Sequence, residues 1–438
     1  MLNDEQQRVV DSIDPFIFLL AGAGSGKTRV IVEKIKKLMN EGVSPNDILA
    51  ITFTRKASQE MKSRLDHNDL HIHTFHQLAY ITLKEELKQT FEVATEDDLS
   101  SFTQEHILAV ANYKNSMYKK KKPRIYDHYQ KILKQKGLYD FDDLLINLYK
   151  ALQRGMYRFS FRYIFIDEFQ DTNILQYEVL KKMVRQHTHL FAVGDPDQSI
   201  YRFRGALPKI IDRYVKEFHA TLYRLTYNYR SRKKILITAN RIIKQNDRSY
   251  KKELAPTKQT MGLVESYRFK QDIEEASWII RQIKTLINHH YKPNEIAILY
   301  RNHFRVYQLM LTCHQEGISF HIQDDEQHSD EQLQFLTIHQ AKGLEFDCVF
   351  MIGCEDGLLP SRKINQKDSY EEERRLLFVA ATRARDILCF TQIRFDAENH
   401  HFTSSPFIME SGVKTSNPKE ISDIISLGDE DGHQKTHR

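Results

Sequence analysis

Three groups of residues in this 438-residue chain have the types and spacing for phosphate chemistry. The first is Ala21-Gly22-Ala23-Gly24-Ser25-Gly26-Lys27-Thr28, which follows the apolar run Phe16–Leu20 and precedes the helical pattern Arg29–Met39. That context is the one a P-loop needs: glycines let backbone N–H groups approach phosphate oxygens, and the helix N-terminus adds positive potential. Lys27 suits the β- and γ-phosphates of a nucleotide, and Thr28 suits Mg²⁺. The first position of the pattern is Ala21 where glycine is usual; a ligand-free glycine-rich turn is the competing reading, and the flanks argue against it. The second group is Ile164-Phe165-Ile166-Asp167-Glu168, a buried strand pattern ending in two carboxylates. Adjacent acids there are costly unless they face a cation or water. Asp167 suits a magnesium shell and Glu168 the activation of an attacking water; alone, the pair would read equally as an exposed acidic turn. The third is Gly194-Asp195-Pro196-Asp197-Gln198, where the Gln198 amide both donates and accepts and can sense a γ-phosphate, or simply close a tight polar turn.

Other residues extend this set. Tyr201-Arg202-Phe203-Arg204 interleaves aromatics with cations, as a base-stacking platform or as a surface strand with core aromatics. Glu371–Leu388 reads as a helix with Leu376, Ala380 and Arg383 on one face, so Arg383 calls for an anion, carboxylate or phosphate. In Asn228-Tyr229-Arg230-Ser231, Arg230 suits nucleotide and Tyr229 a base; a helix start with a surface arginine is the alternative. His67, His71, His73 and His76 raise a metal question, but carboxylate and cysteine co-ligands lack zinc spacing, and no metal site is expected there. The run Lys119–Lys122 reads as a solvated face that DNA can use.

The elements that must position these residues read as α/β. Phe16–Leu20, Ile48–Phe53, Tyr163–Ile166 and Leu190–Val193 are apolar and unalternating, as in strands buried on both faces of a parallel sheet. A second set follows: Val264–Phe269, Ile296–Tyr300, Phe335–Ile338, Val349–Ile352 and Ile387–Phe390. The expected organisation is a first lobe over residues 1–82 and 158–226, a helical insertion over 83–157, a second lobe over 227–402, and a flexible polar tail over 403–438. The charge is +5, which permits a nucleic-acid partner without demanding one. The four cysteines form no CxxC pair, there is no signal region and no apolar run of membrane length, so a cytoplasmic protein without a membrane partner is expected.

Taken together, the motifs resemble those of superfamily-one helicases of the UvrD/Rep/PcrA type. The matches run in family order: Leu2-Asn3-Asp4-Glu5-Gln6, Ala21–Thr28, Ile51–Thr54 with Lys56-Ala57, His73-Thr74-Phe75-His76, and Asp167–Thr172. Then come Gly194–Ala206, Asn228–Ser231, Thr337–Phe346 and Glu371–Arg385. The resemblance implies two RecA-like lobes and an ATP-dependent 3′–5′ DNA helicase or translocase that uses ATP and Mg²⁺. It assigns the adenine to Gln6 and Tyr229, with Arg29 near the nucleotide, phosphate and magnesium to Gly26, Lys27 and Thr28, and the ribose to Glu345. Glu168 becomes the catalytic base, Gln198 the γ-phosphate sensor, and Arg230 and Arg383 arginine fingers. Phe53, Phe75, His76, Tyr201, Phe203, Arg204 and His339 would line single-stranded DNA or the tail of a duplex.

Two departures from the family pattern matter. Phe203 stands where the family usually has tryptophan. Between Ser319-Phe320-His321 and Phe335 the chain has a short polar stretch, including Asp324-Asp325-Glu326, where the family inserts a second large domain that contacts duplex. Movement on a strand is therefore expected ahead of processive unwinding. The alternatives are a translocase that only displaces proteins, and a DNA-binding regulator switched by ATP. The tail is a candidate site for a protein partner.

Overall fold

The structure, a computed structural model, describes residues 1–67, 69–207, 209–322, 330–362 and 367–421. It divides into two compact units, Met1–Thr226 and Tyr227–Arg438.

In the first unit a six-stranded parallel sheet runs His71–Thr74, Ile48–Thr52, Tyr163–Ile166, His189–Gly194, Phe16–Ala21, Thr221–Leu225. Its central strands are buried almost throughout, which is why they read as unbroken apolar runs. Helix Lys27–Asn40 buries Val30, Ile31, Val32, Ile35 and Leu38, a stripe at helical spacing that packs with the strand residues Ile17, Leu19, Phe165 and Phe191. The two outer strands were not expected from sequence. His71–Thr74 is polar and histidine-rich, and Thr221–Leu225 is an edge strand with little burial.

The insertion is helical as expected, with helices Gln104–Asn115, Tyr126–Lys136 and Phe141–Gln153. Its own core joins Phe102, Val110, Tyr129, Leu133 and Leu138. One ion cluster locks it. Lys114, fully buried, reaches Asp140 Oδ2 and Asp143 Oδ1, each at 2.7 Å, and the Tyr129 hydroxyl donates to Asp140 Oδ2 at 3.0 Å. Burial opposes the Lys114 charge, but the two carboxylates outweigh it and hold the ammonium above its ordinary value.

The second unit is a seven-stranded parallel sheet ordered Phe320–Ile322, Leu333–Thr337, Ile296–Tyr300, Phe346–Met351, Ala384–Ile393, Leu263–Phe269, Thr415–Ser416. All five strands expected there are present. The Asp324-Asp325-Glu326 stretch lies outside the described residues. Two expectations are corrected. The helix expected over Glu371–Leu388 spans Lys367–Ala381 and gives way to the strand Ala384–Ile393, because Ile387–Phe390 is buried between two neighbouring strands. The tail is packed rather than flexible as far as Ile421. Helix Pro406–Ser411 buries Phe407 and Ile408, Thr415–Ser416 joins the sheet, and Trp278 Nε1 donates to Lys419 O at 3.1 Å. Those scattered apolar residues supply the burial that the polar average of the segment concealed. Among the described residues no helix is long and apolar enough to cross a membrane.

Replacing Lys114 with methionine strands two carboxylates, so Lys114→Met should lower the unfolding free energy by about 3 kcal/mol. Urea denaturation of the variant beside the parent checks this.

Candidate functional site

The phosphate loop leaves the strand Phe16–Ala21 at the carboxyl edge of the first sheet, where open α/β sheets bind ligands. The Ser25 hydroxyl donates to Gly22 O at 2.8 Å and closes the loop. Gly26 caps the helix at φ +82°, a left-handed conformation that favours glycine, and a Cβ there would lie 2.9 Å from Gln6 Nε2. Gln6 is buried and donates from Nε2 to Ser25 O at 2.9 Å; its own helix, Asp4–Asp11, begins with a capping box between Asn3 and Gln6. Adenine candidate and phosphate loop are thus directly joined. Arg29 is exposed on the first turn beyond Thr28.

Opposite the loop stand the acids. Lys27 Nζ lies 3.0 Å from Glu168 Oε1. Burial opposes the Lys27 charge, yet Glu168, Asp195 and Asp167 together raise its affinity for the proton. Asp167 is pushed up to about 6 by burial and by the adjacent Glu168 charge. Glu168 sits at φ +50°, strained backbone of the kind that concentrates at functional sites. Its own N–H donates to Asp167 Oδ1 at 2.9 Å.

Gln170, to which the sequence reading gave no role, ties this corner together. Its side chain is buried, its Nε2 donates to Glu168 Oε2, and its Oε1 accepts from the Asp195 N–H at 2.9 Å. Gln198 Nε2 in turn donates to Asp195 Oδ2 at 2.7 Å. Lys27, Glu168, Gln170, Asp195 and Gln198 therefore form one continuous chain of contacts. Among the described residues no group of three or more His, Cys, Asp or Glu could hold a metal alone. Asp167 and the Thr28 hydroxyl are hard oxygen donors, and a carboxylate whose ionisation is suppressed gains most from a divalent cation, so they fit a magnesium ion that also takes nucleotide oxygens.

Beyond Gln198 the same segment carries the aromatics. Phe53 and Tyr201 stack at 5.0 Å between ring centroids, Tyr201 and Phe203 lie 6.1 Å apart, and the Arg204 guanidinium sits 5.5 Å from both the Tyr201 and Phe203 rings. Phe203 is 42% exposed. The insertion holds this turn, since Asn112 Nδ2 donates to Phe203 O at 2.8 Å. Phe75 is buried at the start of helix Phe75–Ile81. His76, next to it, meets Phe141 edge-on at 5.8 Å. Phe141 is an exposed aromatic at the first turn of its helix and was absent from the sequence candidates. Burial pushes both His73 and His76 down to about 4, so they are neutral rings near pH 7.

In the second unit Arg230 donates from Nε to Glu345 Oε2 at 2.5 Å and from Nη1 to Thr382 O at 3.0 Å. Arg385 binds the other Glu345 oxygen at 2.7 Å. Burial opposes ionisation of Glu345, but Arg230 and Arg385 prevail and bring its carboxyl down to about 2. Arg383 lies in the turn after the helix rather than on its face. It is buried and donates to Val379 O and Leu344 O, each at 3.0 Å, and to Thr382 Oγ1 at 3.1 Å. Tyr229 is exposed, and His339 lies in the turn that follows Leu333–Thr337.

Two family models account for these features. The UvrD/REP helicase N-terminal domain matches residues 2–112 and 85–219, and the UvrD-like helicase C-terminal domain matches residues 223–328 and 316–394. The chain belongs to the UvrD/PcrA-type superfamily-one helicases. It is 31% identical to a probable DNA helicase of Mycoplasma pneumoniae, over 93% of this chain and 86% of that protein. It is 34% identical to the ATP-dependent DNA helicase PcrA of Bacillus subtilis, over 73% of this chain and 50% of that protein. With a probable DNA helicase II homolog of Mycoplasma capricolum the identity is 33%, over 69% of this chain and 49% of that protein. The chain thus spans most of the first relative and about half the length of the other two.

Two outcomes are expected. Gln170→Leu removes the bond that orients Glu168, so kcat for ATP hydrolysis should fall about tenfold or more while KM changes little; steady-state ATPase assays decide it. For His76, whose pKa drops from 6.5 to about 4 on folding, the unfolded chain takes up a proton that the folded chain refuses. The stability this leaves is full above pH 6.5 and is lost as pH falls towards 4. Melting temperatures should decline across that window, and His76→Gln should flatten the decline.

Proposed function

We propose that this protein is an ATP-dependent motor that moves 3′ to 5′ on single-stranded DNA, with Mg²⁺ bound beside the nucleotide phosphates. One observation carries the proposal. The buried Gln198, in contact with Asp195, and Tyr201, stacked on Phe53, are three residues apart in one segment, so a change at the γ-phosphate is transmitted to a base platform through a single turn of chain. Lys27 and Thr28 hold phosphate and metal, Glu168 draws the proton from the attacking water, and Arg230 and Arg383 answer the charge that develops on the transferred phosphoryl group. Gln6 and Tyr229 take the adenine and Glu345 the ribose. Phe53, Tyr201, Phe203 and Arg204 take bases and phosphates, with Phe75, His76 and His339 along the same strand path. Thr28 and Asp167 would hold the magnesium ion, which when bound would supply charge neutralisation to the phosphates.

Unwinding is the second layer of this reading. The strands Phe320–Ile322 and Leu333–Thr337 are direct neighbours in the sheet, with only residues 323–332 between them, where the family pattern has a whole domain. That favours translocation, with displacement of bound proteins, over processive strand separation. A purely regulatory ATP switch has no use for the Lys27–Glu168–Gln170 arrangement, which is built around a carboxylate poised for water.

The test uses the full chain. ATP turnover should rise on adding single-stranded DNA, and Glu168→Gln should cut that turnover by about a hundredfold or more. A 3′-tailed duplex should support strand or protein displacement where a 5′-tailed one does not. No stimulation by single strand, or a variant with undiminished turnover, refutes the motor; preference for the 5′ tail refutes the polarity.

A further inference from the structure

The helix Asp4–Asp11 that carries Gln6 is fastened to its surroundings at both ends. At its C-terminal end, Lys34 of the phosphate-loop helix donates to Ser12 O at 2.7 Å and to Val9 O and Val10 O, each at 3.2 Å. At its N-terminal end, the Glu5 carboxylate accepts twice from one residue. The Thr226 N–H donates to Oε2 at 2.8 Å and the Thr226 hydroxyl to Oε1 at 2.7 Å. Thr226 directly follows the strand Thr221–Leu225 and is the last residue of the first unit. The preceding carbonyl, Leu225 O, accepts from the Gly22 N–H at 3.3 Å. Two consecutive residues therefore bind the phosphate loop and the Gln6 helix, and the chain then continues to Tyr229 and Arg230.

We infer that Glu5 is a positioning residue for nucleotide recognition: its two-point grip on Thr226 fixes the Gln6 helix against the strand end that also holds the phosphate loop. This rests on the assignment of Gln6 to the base made above. The residue type fits the task. A carboxylate offers an acceptor on each oxygen and so takes the Thr226 N–H and the Thr226 hydroxyl together. Its negative charge is also favourable in the first turn of a helix. Gln6 lies next to Glu5 on this short helix and donates to the loop at Ser25 O, so slack at Thr226 is passed to the base-reading amide. No part of the grip touches Lys27 or Glu168, which separates its effect from the chemical step.

Steady-state ATPase assays of the full chain with saturating single-stranded DNA, run with ATP and with GTP, test the inference. Glu5→Ala and Thr226→Val should each raise KM for ATP about tenfold, with kcat within about twofold of the parent, and erode the preference for ATP over GTP by a similar factor. The double variant should be no worse than the Glu5 variant alone, which already removes both bonds to Thr226. Thr226→Ser, which keeps the hydroxyl, should restore the parent values. Unchanged KM in variants that melt like the parent, a fall in kcat at constant KM, or penalties that multiply in the double variant would each overturn it. Gln6→Ala separates the two layers. If it raises KM and the Glu5 variants do not, the positioning role alone fails; if it leaves KM and ATP preference unchanged, the base assignment fails and the positioning role with it.

Discussion

Burying a lysine beside three carboxylates sets the electrostatic problem that the first unit is built to solve. Lys27 meets Glu168 at 3.0 Å, with Asp195 and Asp167 close enough to raise its hold on the proton. Each of these charges would be costly alone in a sheet edge walled by apolar strands, and each is tolerable because the others are present. The balance is not complete. Two adjacent acids against one ammonium leave Asp167 pushed up to about 6, an excess of negative charge suited to a divalent cation. In the proposed mechanism a phosphate competes with Glu168 for Lys27, and the carboxylate so released takes a proton from water. On that proposal the same ion pair both stabilises the corner and holds the base in reserve.

Polar groups around that pair convert it into a relay. Gln170 is buried with one end on Glu168 and the other on the Asp195 backbone, and Gln198 donates to the Asp195 side chain. Gly194 has to be glycine for this to fit, since a Cβ there would lie 2.8 Å from Gln170 Oε1. From Gln198 the chain reaches Tyr201 within a turn, and the insertion braces the far side of that turn through Asn112 and Phe203 O. Asn112 lies on the helix that Lys114 locks against Asp140 and Asp143, so the insertion's buried ion cluster supports the platform from behind.

What the sequence makes legible follows from range. The phosphate loop, the Asp167-Glu168 pair and the segment from Gly194 are each an apolar strand broken by polar residues, a local pattern that needs no knowledge of the fold. Arg383 shows the limit of local reasoning. Periodicity placed it on a helix face, whereas burial of Ile387–Phe390 between two strands ends the helix at Ala381 and puts the arginine in a turn. The positioning residues were harder still. Asn112 acts on a partner 91 residues away and Glu5 on one 221 residues away, and neither type nor spacing announces such a pair. Edge strands failed for a related reason: His71–Thr74 and Thr221–Leu225 are strands because a sheet accepts them, not because their side chains demand it.

The second unit balances its buried and half-buried charges by the same device, opposite charges in contact. Glu345 is gripped by Arg230 and Arg385, and Arg385 also meets Glu295 at 2.7 Å and Asp347 at 3.1 Å. An arginine already satisfied by a carboxylate gains little net energy from a ground-state phosphate, since one ion pair is exchanged for another. In the role proposed for Arg230 the gain would come as negative charge builds on the reacting oxygens, because Glu345 carries a fixed single charge and cannot follow. Arg383 is restrained differently, by the carbonyls of Val379 and Leu344, which are dipoles rather than charges. Of the two arginines, Arg230 therefore has the stronger internal competitor, a full carboxylate charge against two backbone dipoles.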